Sequence, residues 1–465
     1  MSKPQARIPS IDALRGLAIL GMALSGMLPW GSLPAWMYHA QSPPPSMEFN
    51  PAVAGITWVD WVFPFFLFAL GAAIPLSLQR HLDSPTPWHQ TLLNILKRGG
   101  LILAFAYVSQ HLRPFSYSAT PNANTWMLSL LFFFATVAAF VRIPDQWPKT
   151  IRYCIGAFGW LIILAGIFAL KPDGSRQADL QKVDIILFVL ANVSVSGSVI
   201  WWLTRQKPLA RITIFGIVSI LFFASQFAGP VQVFWQFDPL PNLWHWDFQK
   251  YLLIVIPGTF CGEFILNHSE HKESLNHTPG AALTITLTAI ILLVSVTATL
   301  LMREVEIALF ISILAAALGL IIAQIACHFS EGMKNMIRSG AVLLIIGIVL
   351  DPVVGGIKKD PANLSYMFTL SGLAFWLVAA LADLTKTPKR LKWLGWLTAT
   401  GVNPLLGYVA ITNFVPAFIR LTPINEFIGN QGFSPWQLFG YALFQTAIVA
   451  AICVFATRYK IYLRA

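Results

Sequence analysis

A chain of 465 residues with 56% hydrophobic and only 11% charged side chains carries more apolar surface than a soluble globule can hide, since about 25% charged is ordinary for such domains. Its formal charge of +11 sits in short clusters between apolar runs, which fits membrane topology and attraction to anionic lipids and argues against nucleic acid as a partner. Repeated apolar runs of about 20 residues, with no alternating strand pattern, predict an all-α polytopic transmembrane helix bundle rather than a barrel.

In chain order, spans are expected over 11–29, 57–79, 91–111, 126–142, 151–170, 182–203, 209–228, 249–267, 280–302, 305–329, 336–355, 364–384, 396–419 and 437–457, about fourteen with twelve as the smaller count. The first is expected to be retained, because Asp12 and Arg15 interrupt it and no signal-peptide cleavage site follows. Lys3 and Arg7, Lys97 and Arg98, Arg142, Lys149 and Arg152, and Arg205, Lys207 and Arg211 fall on alternate turns, which the positive-inside bias assigns to the cytoplasm. Lys272, Lys334 and Arg338, the cluster Lys386, Lys389, Arg390 and Lys392, and the tail Arg458, Lys460 and Arg464 join that side, so both termini are expected inside. The loops 30–56 and 229–248 hold no Lys or Arg and fit the outer face, whereas Lys171, Arg176 and Lys182 form an outer turn against the bias. Trp30, Trp36, Trp58, Trp126, Trp244, Trp246 and Trp436 cluster near the outer span ends, as an interfacial belt or a surface for stacking sugars. A single membrane domain over 1–465 is the simplest organisation.

Cys154, Cys261, Cys327 and Cys453 are scattered singly with no CxxC spacing, so neither a disulfide framework nor a metal framework is expected. His268-Ser269-Glu270-His271, with His277, has ligand-like spacing but lies in a hydrophilic loop without a second cluster, and no metal is expected there. Glu263, Glu304, Glu306 and Asp351 lie in or beside spans, where they serve structure or mark an ion path.

The stretch with the most chemistry runs from residue 7 to residue 80. Asp12 and Arg15 are three apart and share a helix face, either as a structural ion pair or with Arg15 binding a phosphate. His39 lies in a loop between two span ends, with a side chain able to exchange a proton near neutral pH. Thr57-Trp58-Val59-Asp60 has capping-box spacing, and its carboxylate is also placed to orient His39. Late in the chain, Gly355-Gly356-Ile357-Lys358-Lys359-Asp360 puts two lysines on an outer turn against the charge bias, and Gly401-Val402-Asn403-Pro404 reads as a helix-entry turn.

These stretches resemble transmembrane acyltransferases of the heparan-α-glucosaminide N-acetyltransferase type, in particular their bacterial NagX-type members. Ser10-Ile11-Asp12-Ala13-Leu14-Arg15-Gly16 resembles the family's S-[LIV]-D-x-[FL]-R-G opening, Tyr38-His39 stands where it has a catalytic loop histidine, and Thr57 to Phe68 resembles its T-x-x-D-L-V-F-P-x-F-x-F block. Lys358 to Tyr366 and Phe368-Thr369-Leu370-Ser371 resemble its late K-N-L-W-S-L-S-Y…T-L-S segment, followed by the Gly401-x-Asn403 turn. Two departures stand out: Gly26 replaces an asparagine that partners the histidine, and the family's L-Q-R segment has no counterpart near Trp126 to Leu131.

The resemblance implies an acetyl-CoA-dependent N-acetyltransferase in a bacterial inner membrane, transferring acetyl from cytoplasmic acetyl-CoA to the amine of a periplasmic glucosamine or amino-sugar saccharide. It implies His39 as general base or transient acetyl carrier, Asp60 as its orienting group, and Arg15, Lys97 and Arg98 around the CoA phosphates. Lys358 or Asn403 would stabilise the oxyanion. Because the family core has fewer spans, inserted helical hairpins are expected near 182–228 and 280–329. The expected partners are a small amino-sugar acceptor and membrane lipids, with the oligomeric state open and a homodimer one option. The alternatives are a multi-span sugar or lipid transporter and an O-acyltransferase of a cell-envelope polymer.

Overall fold

The apolar runs fold as helices packed side by side, joined by turns and by the longer loops 28–57 and 225–251, with one small pair of strands. In the computed structural model the described residues are 7–82, 87–144, 146–168, 178–269, 279–325, 330–386, 388–426 and 432–463. Cys327, His271, His277, Lys3, Lys171, Arg176, Lys272 and Arg464 lie outside them. The helices are α1 (Pro9–Met27), α2 (Trp58–Leu82), α3 (Trp88–His111), α4 (Ala123–Phe140), α5 (Lys149–Phe168), α6 (Ile185–Thr204), α7 (Pro208–Ala224), α8 (Leu252–Ser269), α9 (Pro279–Leu301), α10 (Val305–Ile325), α11 (Glu331–Val349), α12 (Leu364–Leu384), α13 (Gly395–Val402), α14 (Pro404–Arg420) and α15 (Pro435–Arg458).

Among the described residues, twelve helices are long and apolar enough to cross a membrane, or thirteen if the bent pair α13–α14 counts as one. The protein is an all-α, multi-pass membrane protein. Two expected spans differ from a straight crossing. The helix that covers 209–228 is α7, which has 17 residues and ends at Ala224, and over 396–419 the chain turns by 89° between α13 and α14. The turn follows from Asn403-Pro404: Asn403 leaves the helical region at φ −120°, ψ 53°, as a residue before proline is pressed to do, and Pro404 then opens the next helix.

The first and last described segments meet at one end of the bundle. β1 (Val141–Arg142) pairs antiparallel with β2 (Tyr462–Leu463), and the Arg7 guanidinium lies 4.4 Å from the centre of the Tyr462 ring. We call this the terminal end; the loop of residues 28–57 lies at the other, the loop end.

Helix α12 is buried on all sides, packed against α11, α9, α8, α2 and α1, which is why it reads as apolar around its whole circumference. It also repairs two of its neighbours. Pro64 in α2 and Pro257 in α8 offer no N–H to the carbonyl four residues back. Asp60 O instead accepts from the Tyr366 hydroxyl at 2.8 Å, and Leu253 O from the Ser371 hydroxyl at 3.3 Å. Hydroxyls from a neighbouring helix are among the ways membrane proteins satisfy backbone groups freed by proline.

Several charged groups inside the bundle are paired. Arg211, fully buried, grips Glu263 at 2.7 and 2.8 Å and Thr259 Oγ1 at 3.1 Å. Arg303, in the α9–α10 turn, holds Asp351 at 2.7 and 3.0 Å. Arg113 and Tyr408 share Asp184, the cap of α6. Glu263 and Asp351 are thus bound into ion pairs, Glu304 and Glu306 are exposed at the start of α10, and no group of three or more His, Cys, Asp or Glu gathers as a metal site among the described residues.

Helices α1 and α13 cross with their backbones in contact, because neither has a side chain at the crossing. A Cβ on Gly401 would fall 1.7 Å from Asp12 O, and one on Gly16 would fall 1.9 Å from Leu397 O. Small residues at such crossings allow the close packing that holds helices together in lipid. Gly401→Val should therefore lower stability by about 3 kcal/mol or more, since backbone cannot yield as a side chain can. Gly26→Ala, where a Cβ meets nothing within 4 Å, should be neutral or slightly stabilising. Melting temperatures in detergent check both.

Candidate functional site

The loop that carries His39 is folded by Tyr38. Its buried phenol accepts from the Ser32 and Leu33 N–H groups at 3.2 and 3.0 Å and donates to Pro29 O. The backbone carbonyl of Tyr38 receives the Thr57 hydroxyl at 2.6 Å. Gln41 donates to Val53 O and Gly55 O at 3.1 and 3.3 Å, closing the loop on itself. His39 therefore sits on a fixed strut between α1 and α2.

The Thr57–Asp60 spacing builds half a capping box and uses the rest for the loop. Asp60 Oδ2 reaches back to the Thr57 N–H at 2.9 Å, as a capping carboxylate does. It also accepts from the Thr57 hydroxyl and the Ala40 N–H, both at 3.3 Å. Asp60 Oδ1 takes His39 Nδ1 at 2.7 Å. The carboxylate is fully buried while the imidazole keeps 42% of its surface exposed. A carboxylate can only accept here, so Nδ1 carries the proton and Nε2 carries the lone pair.

A second group comes from across the chain. Lys359 Nζ lies 3.0 Å from His39 Nδ1 and 3.2 Å from Nε2. The nearly equal distances set the Lys359 ammonium over the imidazole ring rather than along the in-plane lone pair of Nε2, which it does not occupy. Its loop is pinned by Asp351, whose Oδ2 accepts the Ile357 N–H at 2.6 Å while Arg303 clamps the same carboxylate. Asn363 caps α12 and donates back to Gly356 O at 2.7 Å. Burial pushes the Lys359 amine below the ordinary lysine range, against the pull of the Asp60 and Asp360 carboxylates.

Toward the terminal end lies a cavity of about 490 Å³, within the range of small-molecule sites. Arg7, Arg15 and Arg98 line it with one carboxylate, Asp12. Arg15 Nη1 bridges Asp12 Oδ1 and Gly401 O, each at 3.1 Å, and Arg98 reaches Ser77 Oγ at 3.4 Å. Phe66, Leu70, Ile102, Leu187 and Leu190 make its apolar wall. Along α2 the lining extends from Ser77 to Phe66, about 16 Å of helix, and Asp60 stands about 9 Å further along the same axis. The donor set suits an anionic, phosphate-like head among guanidinium groups, with an extended arm against the apolar wall.

The residues expected from the sequence are thus divided. His39 and Asp60 meet directly, and Asp12, Arg15 and Arg98 share the cavity. Lys97 is exposed on α3 and is not among the cavity's lining residues. Lys359, not Lys358, meets the His39 ring. Asn403 is fully buried and committed to the C-terminal tail: its amide donates to Thr457 Oγ1 and Ile461 O at 2.9 and 3.0 Å and accepts from the Leu463 N–H at 3.3 Å. Arg7 and Tyr366 were not anticipated as site residues. The sequence signals for Tyr366 are its place in the late segment that carries the resemblance and Pro64, four residues after Asp60, which frees the carbonyl that the tyrosine bonds.

Fold and site together define a class: a multi-pass helical membrane protein with a carboxylate-oriented histidine at one end and an arginine-lined cavity that climbs toward it from the other. Residues 7–265, more than half of the chain, match the family described as Domain of unknown function (DUF5009), and the protein belongs to that family. The matched segment contains His39, Asp60, Arg7, Arg15 and Arg98, whereas Lys359 and Tyr366 lie beyond it. Comparison with curated proteins gives no match.

The lowered Lys359 amine yields a test of sign. An amine-directed reagent should label Lys359 at lower pH than an ordinary surface lysine. In Asp60→Asn one of the two carboxylates that favour the ammonium is gone and only Asp360 still opposes burial, so labelling should begin at lower pH still. Peptide mapping across a pH series reads both, and labelling only in the ordinary lysine range would contradict the placement.

Proposed function

We propose that the protein transfers an acetyl group from acetyl-CoA, held in the arginine-lined cavity, to the amine of a glucosamine or amino-sugar saccharide at His39. The observation that carries this reading is that α2 bears both sites, the cavity along its lower turns and the His39–Asp60 pair at its first turn. The sequence resemblance to transmembrane N-acetyltransferases falls on the same residues. The Lys and Arg bias supports a cytoplasmic terminal end and a loop end on the outer side, and a bacterial inner membrane with a periplasmic loop end is part of the proposal.

Arg7, Arg15 and Arg98 hold the donor's phosphates, and the apolar wall receives its extended arm. The donor supplies an acyl group activated as a thioester. Asp60 keeps the proton on Nδ1 and stabilises the imidazolium as Nε2 takes a proton from the attacking amine. The amide C–N bond forms, the thioester C–S bond breaks, and the departing CoA thiolate takes the proton from Nε2 to leave as the free thiol. The same exposed lone pair is equally placed to accept the acetyl group briefly. Lys359, rather than Lys358 as the resemblance implied, donates to the oxygen on which negative charge develops.

A carrier for a sugar or lipid is the second reading, favoured by the broken α13–α14 pair, since Val402, Pro404 and Leu405 at its break line the cavity and interrupted helices mark transporter sites. Proteoliposomes with labelled acetyl-CoA on one face and glucosamine on the other separate the two: acetylated glucosamine supports the transferase, and movement of sugar without product supports the carrier. Product formed only on an envelope polymer would make the enzyme an O-acyltransferase.

His39→Ala should abolish turnover and leave CoA binding within about twofold, while Arg98→Ala should weaken CoA binding by about tenfold or more. Lys359→Met should lower kcat by about 10²–10³ with little change in KM for the donor. It should also remove the alkaline fall in rate that the lowered amine causes when it loses its proton. Steady-state kinetics and CoA binding by calorimetry check these outcomes.

A further inference from the structure

The Asp60 carboxylate orients His39, but what orients Asp60 is not its own helix alone. Asp60 is in the first turn of α2, and Pro64 takes from its carbonyl the N–H that a regular helix would supply. Tyr366 reaches that carbonyl from α12, at 2.8 Å, and is itself fully buried. The residue is held from both sides: its N–H bonds Asn363 Oδ1 at 3.1 Å, and the same Asn363 ties the loop of Lys359 to α12. Leu253, Pro257 and Ser371 repeat the device in α8, away from His39.

We propose that Tyr366 is a positioning residue, whose hydroxyl replaces the helix bond removed by Pro64 and so fixes the angle at which Asp60 meets His39. This rests on His39 being the reacting group. The pairing of a proline-freed carbonyl with a hydroxyl serves only to build the bundle at Leu253; at Asp60 it also sets the side chain one bond away. With the hydroxyl gone, the carbonyl is left buried and unmatched, the first turn shifts to find a partner, and Oδ1 no longer meets Nδ1 squarely.

The test uses Tyr366→Phe, Pro64→Ala and the double variant, each as the full chain in lipid. Alanine at 64 returns an N–H to the Asp60 carbonyl, so the double variant no longer needs the tyrosine. The ring nitrogens of His39, labelled with ¹⁵N and assigned by comparison with His39→Ala, report which nitrogen carries the proton without any substrate. We expect Nδ1–H alone in the wild type and in Pro64→Ala, a mixture of tautomers in Tyr366→Phe, and Nδ1–H again in the double variant. Acetyl transfer should follow, with kcat down about tenfold in Tyr366→Phe, KM for the donor unchanged, and kcat recovered in the double variant.

A single Nδ1–H tautomer in Tyr366→Phe, or a mixture that Pro64→Ala does not correct, overturns the proposal, the second because the tyrosine then acts by packing alone. If Tyr366→Phe does not fold, the double variant must, and failure of both overturns it as well. Tautomers that respond as expected while turnover does not would support the positioning role and remove His39 from the reaction.

Discussion

Everything at the loop end depends on one buried carboxylate. Asp60 has no exposed surface, and an ionised group without water must have its oxygens met by donors. The donors are the His39 ring, the Ala40 and Thr57 N–H groups and the Thr57 hydroxyl. Meeting them forces the loop 28–57 to fold back on the first turn of α2, and the exposed face of the imidazole is the result. A helix cap, a loop anchor and an acid–base pair are therefore one structure, and a change in any of them is felt by the others.

The interior is assembled by a related rule, that a polar group taken out of water must find its partner in another element. Pro64 in α2 and Pro257 in α8 each free a carbonyl, and α12 answers both with hydroxyls. Arg211 and Arg303 are matched by Glu263 and Asp351. The Arg303–Asp351 pair reaches furthest in consequence, because Asp351 also holds the backbone from which Lys359 approaches His39. Removing one partner of such a pair leaves an unmatched charge, so these pairs constrain geometry more than they add net stability.

The cavity at the terminal end follows a different logic. Its guanidinium groups outnumber its single carboxylate, and like charges so gathered repel unless an anion joins them. Arg15 is held in place by Asp12 and Gly401 O, and the close α1–α13 crossing at Gly16 and Gly401 brings that carbonyl within reach. The backbone contact that packs the bundle thus also presents a cation to the cavity.

The sequence by itself determined the elements whose cause is local. Apolar runs long enough to span a bilayer became helices, three-residue spacing put Asp12 and Arg15 on one face, and Thr57-x-x-Asp60 placed a carboxylate at a helix start beside the loop of His39. What only the tertiary structure decided were the meetings between distant segments. Lys358 and Lys359 are indistinguishable by composition, and the choice between them is made by a loop that Asp351, Arg303 and Asn363 hold together. Asn403 looked like a site residue and is instead a clasp for the C-terminal tail, while Arg7 looked like a topology signal and lines the cavity. Helical and capping patterns are set by neighbours a turn away and can be read along the chain. Which hydroxyl finds a freed carbonyl, and which cation finds an imidazole, depends on how whole helices pack.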